Sequence, residues 1–363
     1  MPFRSFFLLA ALDALLSVGL WVPTTLGWET GSFPAWHGRA LLFGTIPAVM
    51  AGFLRTAMPR WSARPLVCSQ GWRLLVPLWL VGRAASLWVP AAHAPFLALL
   101  AALVTGQVVV CRDRRNGIVA ALTTALAGAA LWELRCDGSG VLDRLAPAVL
   151  LGLVMVLGGR VAPSLTASHL GLPGKKALFE ECPLFERGAA AVAFAALLGW
   201  IAAPASAFTA GASLLAALTQ AVRLIRWQGW RTVGRPSVLV VHGAYACIPL
   251  GFAALSVAGS AMGAALHIWT VGAIGLMCFA MMSSMIRKHA GHAFTHSAVV
   301  TACYVFAATA CVARVAADAM GDGRSVLLAG AASAWVCAVL LFLIAFGRVL
   351  LNGGAVPKKT PTG

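Results

Sequence analysis

Charge is what this sequence has least of. Only 10% of its 363 residues are Asp, Glu, Lys or Arg, and just 11 of them are acidic. A water-soluble globule of this length needs a charged shell, and 60% apolar content leaves none, so a soluble enzyme is excluded. There is no room for a sizeable soluble domain either. The usual signatures of chemistry are also missing. Nine cysteines are scattered without a C-x-x-C pair, which removes covalent c-type haem attachment. No H-E-x-x-H, phosphate-binding glycine loop or Ser-His-Asp arrangement occurs. Most of the cysteines fall in apolar runs, where a thiol packs as a small hydrophobe.

What is present is a series of apolar stretches of about 20 residues, the length that crosses about 30 Å of hydrocarbon. Twelve are read, at 5–27, 36–58, 72–91, 93–111, 116–134, 143–163, 184–203, 206–225, 237–259, 262–286, 296–316 and 324–349. The expected fold is therefore all-α: a polytopic helical membrane protein with about twelve transmembrane helices. Residues 1–363 form one integral membrane domain, with spans one to six over 5–163 and spans seven to twelve over 184–349. A linker at 164–184 joins the two halves, its start marked by Pro163, and a tail covers 350–363. The halves show no convincing internal repeat.

The net charge of +16 reports topology rather than nucleic acid. Of 27 Lys and Arg, 21 fall on one set of span ends, and Arg39, Arg83, Arg135, Arg144, Arg314 and Arg324 fall on the other. The positive-inside rule then places both termini in the cytoplasm. The Arg- and Trp-rich segment 226–235 can bind single-stranded nucleic acid in other settings. Beside two spans it reads as an inner interfacial segment, so the partner expected is the bilayer and no nucleic acid.

Polar groups inside the spans carry the functional signal, because each is costly in hydrocarbon. Asp13 in span one and Arg83 in span three should face protein. They can pair with each other, the preferred reading, or Arg83 can hold an anionic cofactor group. Glu133, Arg135 and Asp137 can solvate one another outside, and His93 reads as a turn residue on the outer rim. Five of the eight histidines lie between Ser237 and His296. His242 lies about 9 Å above the inner boundary, with Tyr245 one turn on and Pro249 freeing the Tyr245 carbonyl. His267 enters span ten about 8 Å below the outer boundary, so the two are about 13 Å apart along the membrane normal. They are too far apart to share one metal. His267 pairs better with His37 at the outer mouth of span two, and His242 with the inner cluster at His289. The run HAGHAFTH places His289, His292 and His296 on one face if helical, a spacing suited to zinc or copper.

At these residues the chain resembles the NnrS family, membrane proteins associated with haem, copper and the bacterial response to nitric oxide. HGAYACIPLG at His242–Gly251 and ALHIWTVGAIGLM at Ala265–Met277 carry the likeness, with His289 falling 22 residues after His267. FRSFFLLAAL, AGFLRTAMPRW, GRVAPSLT and GWRT extend it over essentially the whole chain. One departure stands out. Where the family shows Trp-His-x-His-Glu-Met, this chain has Trp36-His37-Gly38-Arg39-Ala40-Leu41, and a guanidinium offers no lone pair to a metal. Ser284 also replaces a family arginine.

The resemblance implies a multi-pass protein of the bacterial inner membrane that binds b-type haem and meets nitric oxide, with a role in nitrosative-stress tolerance or denitrification. His37, His242, His267 and His289 are the cofactor and metal ligands to expect, with His292 as a further metal ligand. Arg39, Arg83 and Tyr245 are cofactor contacts. Copper is doubtful, given Arg39 and Ala40. No reaction is defined. Two other classes remain open: a haem or copper permease using these histidines transiently, and an assembly partner of a respiratory enzyme in which they only pack.

Overall fold

The computed structural model describes residues 3–28, 33–133, 140–180, 182–257, 261–290, 297–320 and 323–352. His292 and His296, with Arg135 and Asp137, lie outside the described residues. The described residues are helical, with no strand among them. Among the described residues ten helices are long and apolar enough to cross a membrane. In chain order, and counting two shorter helices between them, they are α1 (Arg4–Thr24), α2 (Trp36–Trp61), α3 (Ser69–Ala85), α4 (Ala91–Val110), α5 (Gly117–Trp132) and α6 (Leu142–His169). The second half comprises α7 (Pro183–Ala202), α8 (Ala207–Arg226), α9 (Pro236–Ser256), α10 (Met262–His289), α11 (Ala298–Ala319) and α12 (Arg324–Asn352).

The shorter pair, α3 and α5, occupy two of the twelve expected spans but run for only 17 and 16 residues. At 1.5 Å per residue each covers about 25 Å, short of a full hydrocarbon core. A 3₁₀ turn at Pro90–His93 follows α3, and another at Arg114–Asn116 precedes α5.

Local chemistry explains several boundaries. Ser206 and Ser297 cap α8 and α11, each hydroxyl accepting from the amide three residues on. Pro183 and Pro236 open α7 and α9, where the missing amide costs nothing. Pro163 does not stop α6, contrary to the expected end at that residue: the helix runs on to His169. Proline's fixed φ is helical, and burial of Ala162, Pro163, Thr166 and Ala167 against α9 and its neighbours holds the last turns.

The bundle closes on itself. α12 packs along α1, and the Arg4 guanidinium donates to the Leu350 carbonyl at 2.9 Å and to that of Leu351. Residue 4 and residues 350–351 therefore sit at the same end of the bundle. α2 is central, with 78% of its apolar window buried, whereas α8 on the periphery has 28%. α10 touches α2, α6, α9 and α11 and so spans the middle of the molecule.

Two helices are wound wider than α. Residues Ala40–Thr45 of α2 and Ile268–Gly275 of α10 form π turns, beginning directly after Arg39 and His267. Such turns cost hydrogen-bond geometry and concentrate at functional sites. The one in α10 is held by close packing. The Trp269 indole donates to the Ile248 carbonyl at 3.2 Å, and a Cβ at Gly251 would lie 2.1 Å from that indole nitrogen. Only glycine lets α9 and α10 approach so closely.

Candidate functional site

A cavity of about 690 Å³ opens between α1, α2, α6, α10, α11 and α12. Both π turns line it, through Leu41, Leu42, Phe43 and Thr45 on one side and Thr270, Val271 and Gly275 on the other. Small residues of α1 (Ala10, Ala11 and Ala14) make the space, and Val49, Phe279, Met282 and Val339 make its deeper wall apolar. Polar groups gather at one end: His37, Arg39, Glu133, Asp143, His267 and Arg314. The result is an apolar box with a polar rim, which suits an amphiphilic ligand.

The two rim histidines are held alike. His37 Nδ1 lies 3.0 Å from the Ser17 carbonyl, and His267 Nδ1 lies 2.8 Å from that of Gly263. A carbonyl only accepts, so each Nδ1 carries the proton, and in the neutral ring Nε2 keeps its lone pair. Among the described residues neither Nε2 has a hydrogen-bond partner. Trp21 stacks on His37 with ring centroids 5.2 Å apart, fixing its plane. His267 has a second support in Asp318, whose Oδ2 lies 3.4 Å from Nδ1 while its Oδ1 accepts from Arg314 at 2.7 Å. A carboxylate behind a histidine is the arrangement that orients metal-bound imidazoles. The Trp335 indole nitrogen, in a side chain of the cavity wall, has no hydrogen-bond partner among the described residues.

The family model described as NnrS protein matches residues 1–353. This chain belongs to the NnrS family. No curated protein gives a significant match to it. In this NnrS chain the altered span-two motif sits on the cavity rim. Arg39 forms an ion pair with Glu133 at 2.7 Å, its own side chain 42% exposed and that of Glu133 5%. Glu133 thus faces Arg39 across the rim.

The other expected site residues are elsewhere. Arg83 is paired with Asp13, whose other oxygen accepts from Thr45 at 2.6 Å. Its remaining nitrogens reach Ser17 and Ser86 at 3.0 Å each, and its carbon lies 4.2 Å from the Trp36 ring centroid. That is the structural pair preferred from sequence, and it leaves the guanidinium engaged behind the cavity wall. His93 belongs to the same neighbourhood. It is 2% exposed with no hydrogen bond to either nitrogen among the described residues, so it is buried and not on a wet rim.

His242 and His289 do not line the cavity. His242 Nε2 lies 2.7 Å from the Thr166 hydroxyl, which itself donates to the Ala162 carbonyl. The hydroxyl proton being used there, Nε2–H donates, and the lone pair falls on buried Nδ1. That nitrogen has no hydrogen-bond partner among the described residues, and a Cβ at Gly229 would lie 2.6 Å from it, so backbone covers it and leaves no room for a ligand. Tyr245 donates to Gln220 at 2.7 Å and accepts from Arg223 at 2.7 Å, and Arg223 pairs with Glu186 at 2.8 Å. His289 accepts from Arg60 at 2.7 Å and donates to the Met285 carbonyl at 2.9 Å, so both its nitrogens are engaged. The pairing of His37 with His267 expected from depth is the one the fold brings to a common cavity, and His242 has no contact with His289 among those described.

No spacing rule singles out Asp318, Arg314 or Trp335. The available signal was an acid four residues after an arginine near the end of an apolar span, where neither is tolerated without a purpose. Among the described residues no three His, Cys, Asp or Glu side chains gather closely enough to hold a metal ion.

Proposed function

We propose that this protein holds b-type haem in the large cavity, with His37 and His267 as the iron ligands, and serves the nitric oxide response. One observation carries the reading: two rim imidazoles fixed through Nδ1, each with an Nε2 lone pair unclaimed, beside an apolar box. Haem iron needs one or two such nitrogens, whereas a mononuclear copper site draws on a larger protein donor set. Haem also needs an apolar enclosure for its ring and cations for its carboxylates, and Arg39 and Arg314 lie on the rim. The residues therefore fit haem. They fit copper poorly, since His37 is left without the second histidine and glutamate that the family motif would add.

Bound haem would supply an iron that could exchange one of the two imidazoles for a small diatomic gas. The chain's own residues do the rest. Trp21 and the Ser17 carbonyl orient His37, and Gly263 with Asp318 orients His267. The apolar wall excludes water and admits an uncharged gas such as nitric oxide from the bilayer. The division of basic residues supports cytoplasmic termini and the bacterial inner membrane, which puts the rim on the outer side.

Purified full-length protein in detergent is expected to carry about one haem per chain with copper far below stoichiometry, a single strong ligand set binding one iron. Added nitric oxide should shift the visible haem spectrum. Haem-free protein whose vesicles move haem across the bilayer would replace this reading with a permease.

A further inference from the structure

Two thiols from different helices meet behind the π turn of α10. Cys247 lies on α9 and Cys311 on α11, and both are free. A Cβ placed on Gly272 would lie 2.6 Å from the sulfur of Cys247 and 3.0 Å from that of Cys311. The two sulfurs therefore converge over one glycine. Cys247 Sγ also lies 3.5 Å from the Gly243 carbonyl, and Cys311 Sγ 4.0 Å from that of His267. We infer that Cys247 and Cys311 form a redox-active dithiol that closes to a disulfide bridging α9 and α11 across Gly272.

Three features favour this chemistry. First, both sulfurs already lie against the same glycine of α10, so closure needs a small approach and no search. Second, the dithiol and the disulfide are both uncharged. A metal dithiolate or a sulfinate would leave charge in an apolar span, which is costly. Third, any side chain at position 272 would wedge between the sulfurs, so the glycine is what allows their approach. Cys247 is the more exposed of the two, while Cys311 is 8% exposed. An oxidant entering from the bilayer meets Cys247 first, and Cys311 resolves.

With an azodicarboxamide oxidant the steps balance. The Cys247 S–H bond breaks, sulfur adds to one nitrogen of the N=N bond and the proton goes to the other. Cys311 sulfur then attacks Cys247 sulfur, the S–S bond forms as the S–N bond breaks, and the second proton passes to the departing nitrogen. Two thiols have lost two electrons and two protons, and the azo compound leaves as the hydrazine. Because Cys311 borders the His267 carbonyl and Gly272 lies in the turn that His267 begins, the bridge stiffens the wall behind the cavity histidine. The inference does not depend on whether the cavity takes haem.

The test treats purified full-length protein with diamide, alkylates remaining thiols, and maps peptides by mass spectrometry without reduction. The expected product is a single link between the peptides holding Cys247 and Cys311, reversed by dithiothreitol. Cys247→Ser and Cys311→Ser should each abolish it. Gly272→Ala should slow it about tenfold by separating the sulfurs, a barrier rise of about 1.4 kcal/mol. If that variant does not fold, the two serine variants and the wild-type map decide alone. Exposed Cys182 reports that the oxidant was active. Full alkylation of Cys247 and Cys311 after Cys182 has reacted overturns the inference, and so does a link from either to a third cysteine.

Discussion

His37 and His267 are the same residue type as His242 and His289, in comparably apolar helices, yet the two pairs are held in different ways. His37 and His267 give Nδ1 to backbone carbonyls and keep Nε2 unclaimed at a cavity. His242 gives Nε2 to a threonine and has Nδ1 covered by backbone, and His289 has both nitrogens engaged. A histidine becomes a ligand candidate by what its other nitrogen does and by what space lies before it.

The largest effect that can test this contrast is on haem content. Replacing both His37 and His267 with alanine is expected to lower haem per folded protein at least about 100-fold, since each lost ligand costs about tenfold or more. Haem quantified after size exclusion checks it, and retention of full haem would move the site to His242 and His289. Asp318→Asn should weaken haem retention about tenfold, the usual scale for a partner that orients a ligand. A competition assay with a haem-scavenging globin reads that affinity.

A gain of function is smaller and more diagnostic of the rim. Arg39→His with Ala40→Glu releases Glu133 from its ion pair and adds two donors beside His37. Copper occupancy measured by metal analysis should rise several-fold, as soft and borderline metals follow donor number and geometry. Stoichiometric copper in the unmodified protein, unaffected by His37→Ala, would show that copper sits elsewhere.

The smallest expected change in haem is at His242→Ala, within about twofold of wild type. Its cost should appear in stability instead, about 2 kcal/mol from a lost buried hydrogen bond and a void beside Trp227. A haem loss equal to that of His267→Ala would erase the distinction between the two sets.

Some of this was legible without a structure because it follows from solvent. A chain with so little charge and so many apolar runs must cross a membrane as helices, since each buried amide has to find a partner within its own segment. The pairing of Asp13 with Arg83 was readable on the same grounds: two opposite charges inside spans are cheapest against each other. The alignment of His37 with His267 at similar depth needed only span ends and a rise per residue. Tertiary structure decided the rest. Which nitrogen of His37 and of His242 is engaged depends on the Ser17 carbonyl and the Thr166 hydroxyl of other helices, and no periodicity encodes that. The π turn after His267 arises where packing of Gly251 on Trp269 and of Gly275 on Trp335 outweighs ideal helical winding. The convergence of Cys247 and Cys311, 64 positions apart in the chain, exists only because α9 and α11 meet on either side of one glycine.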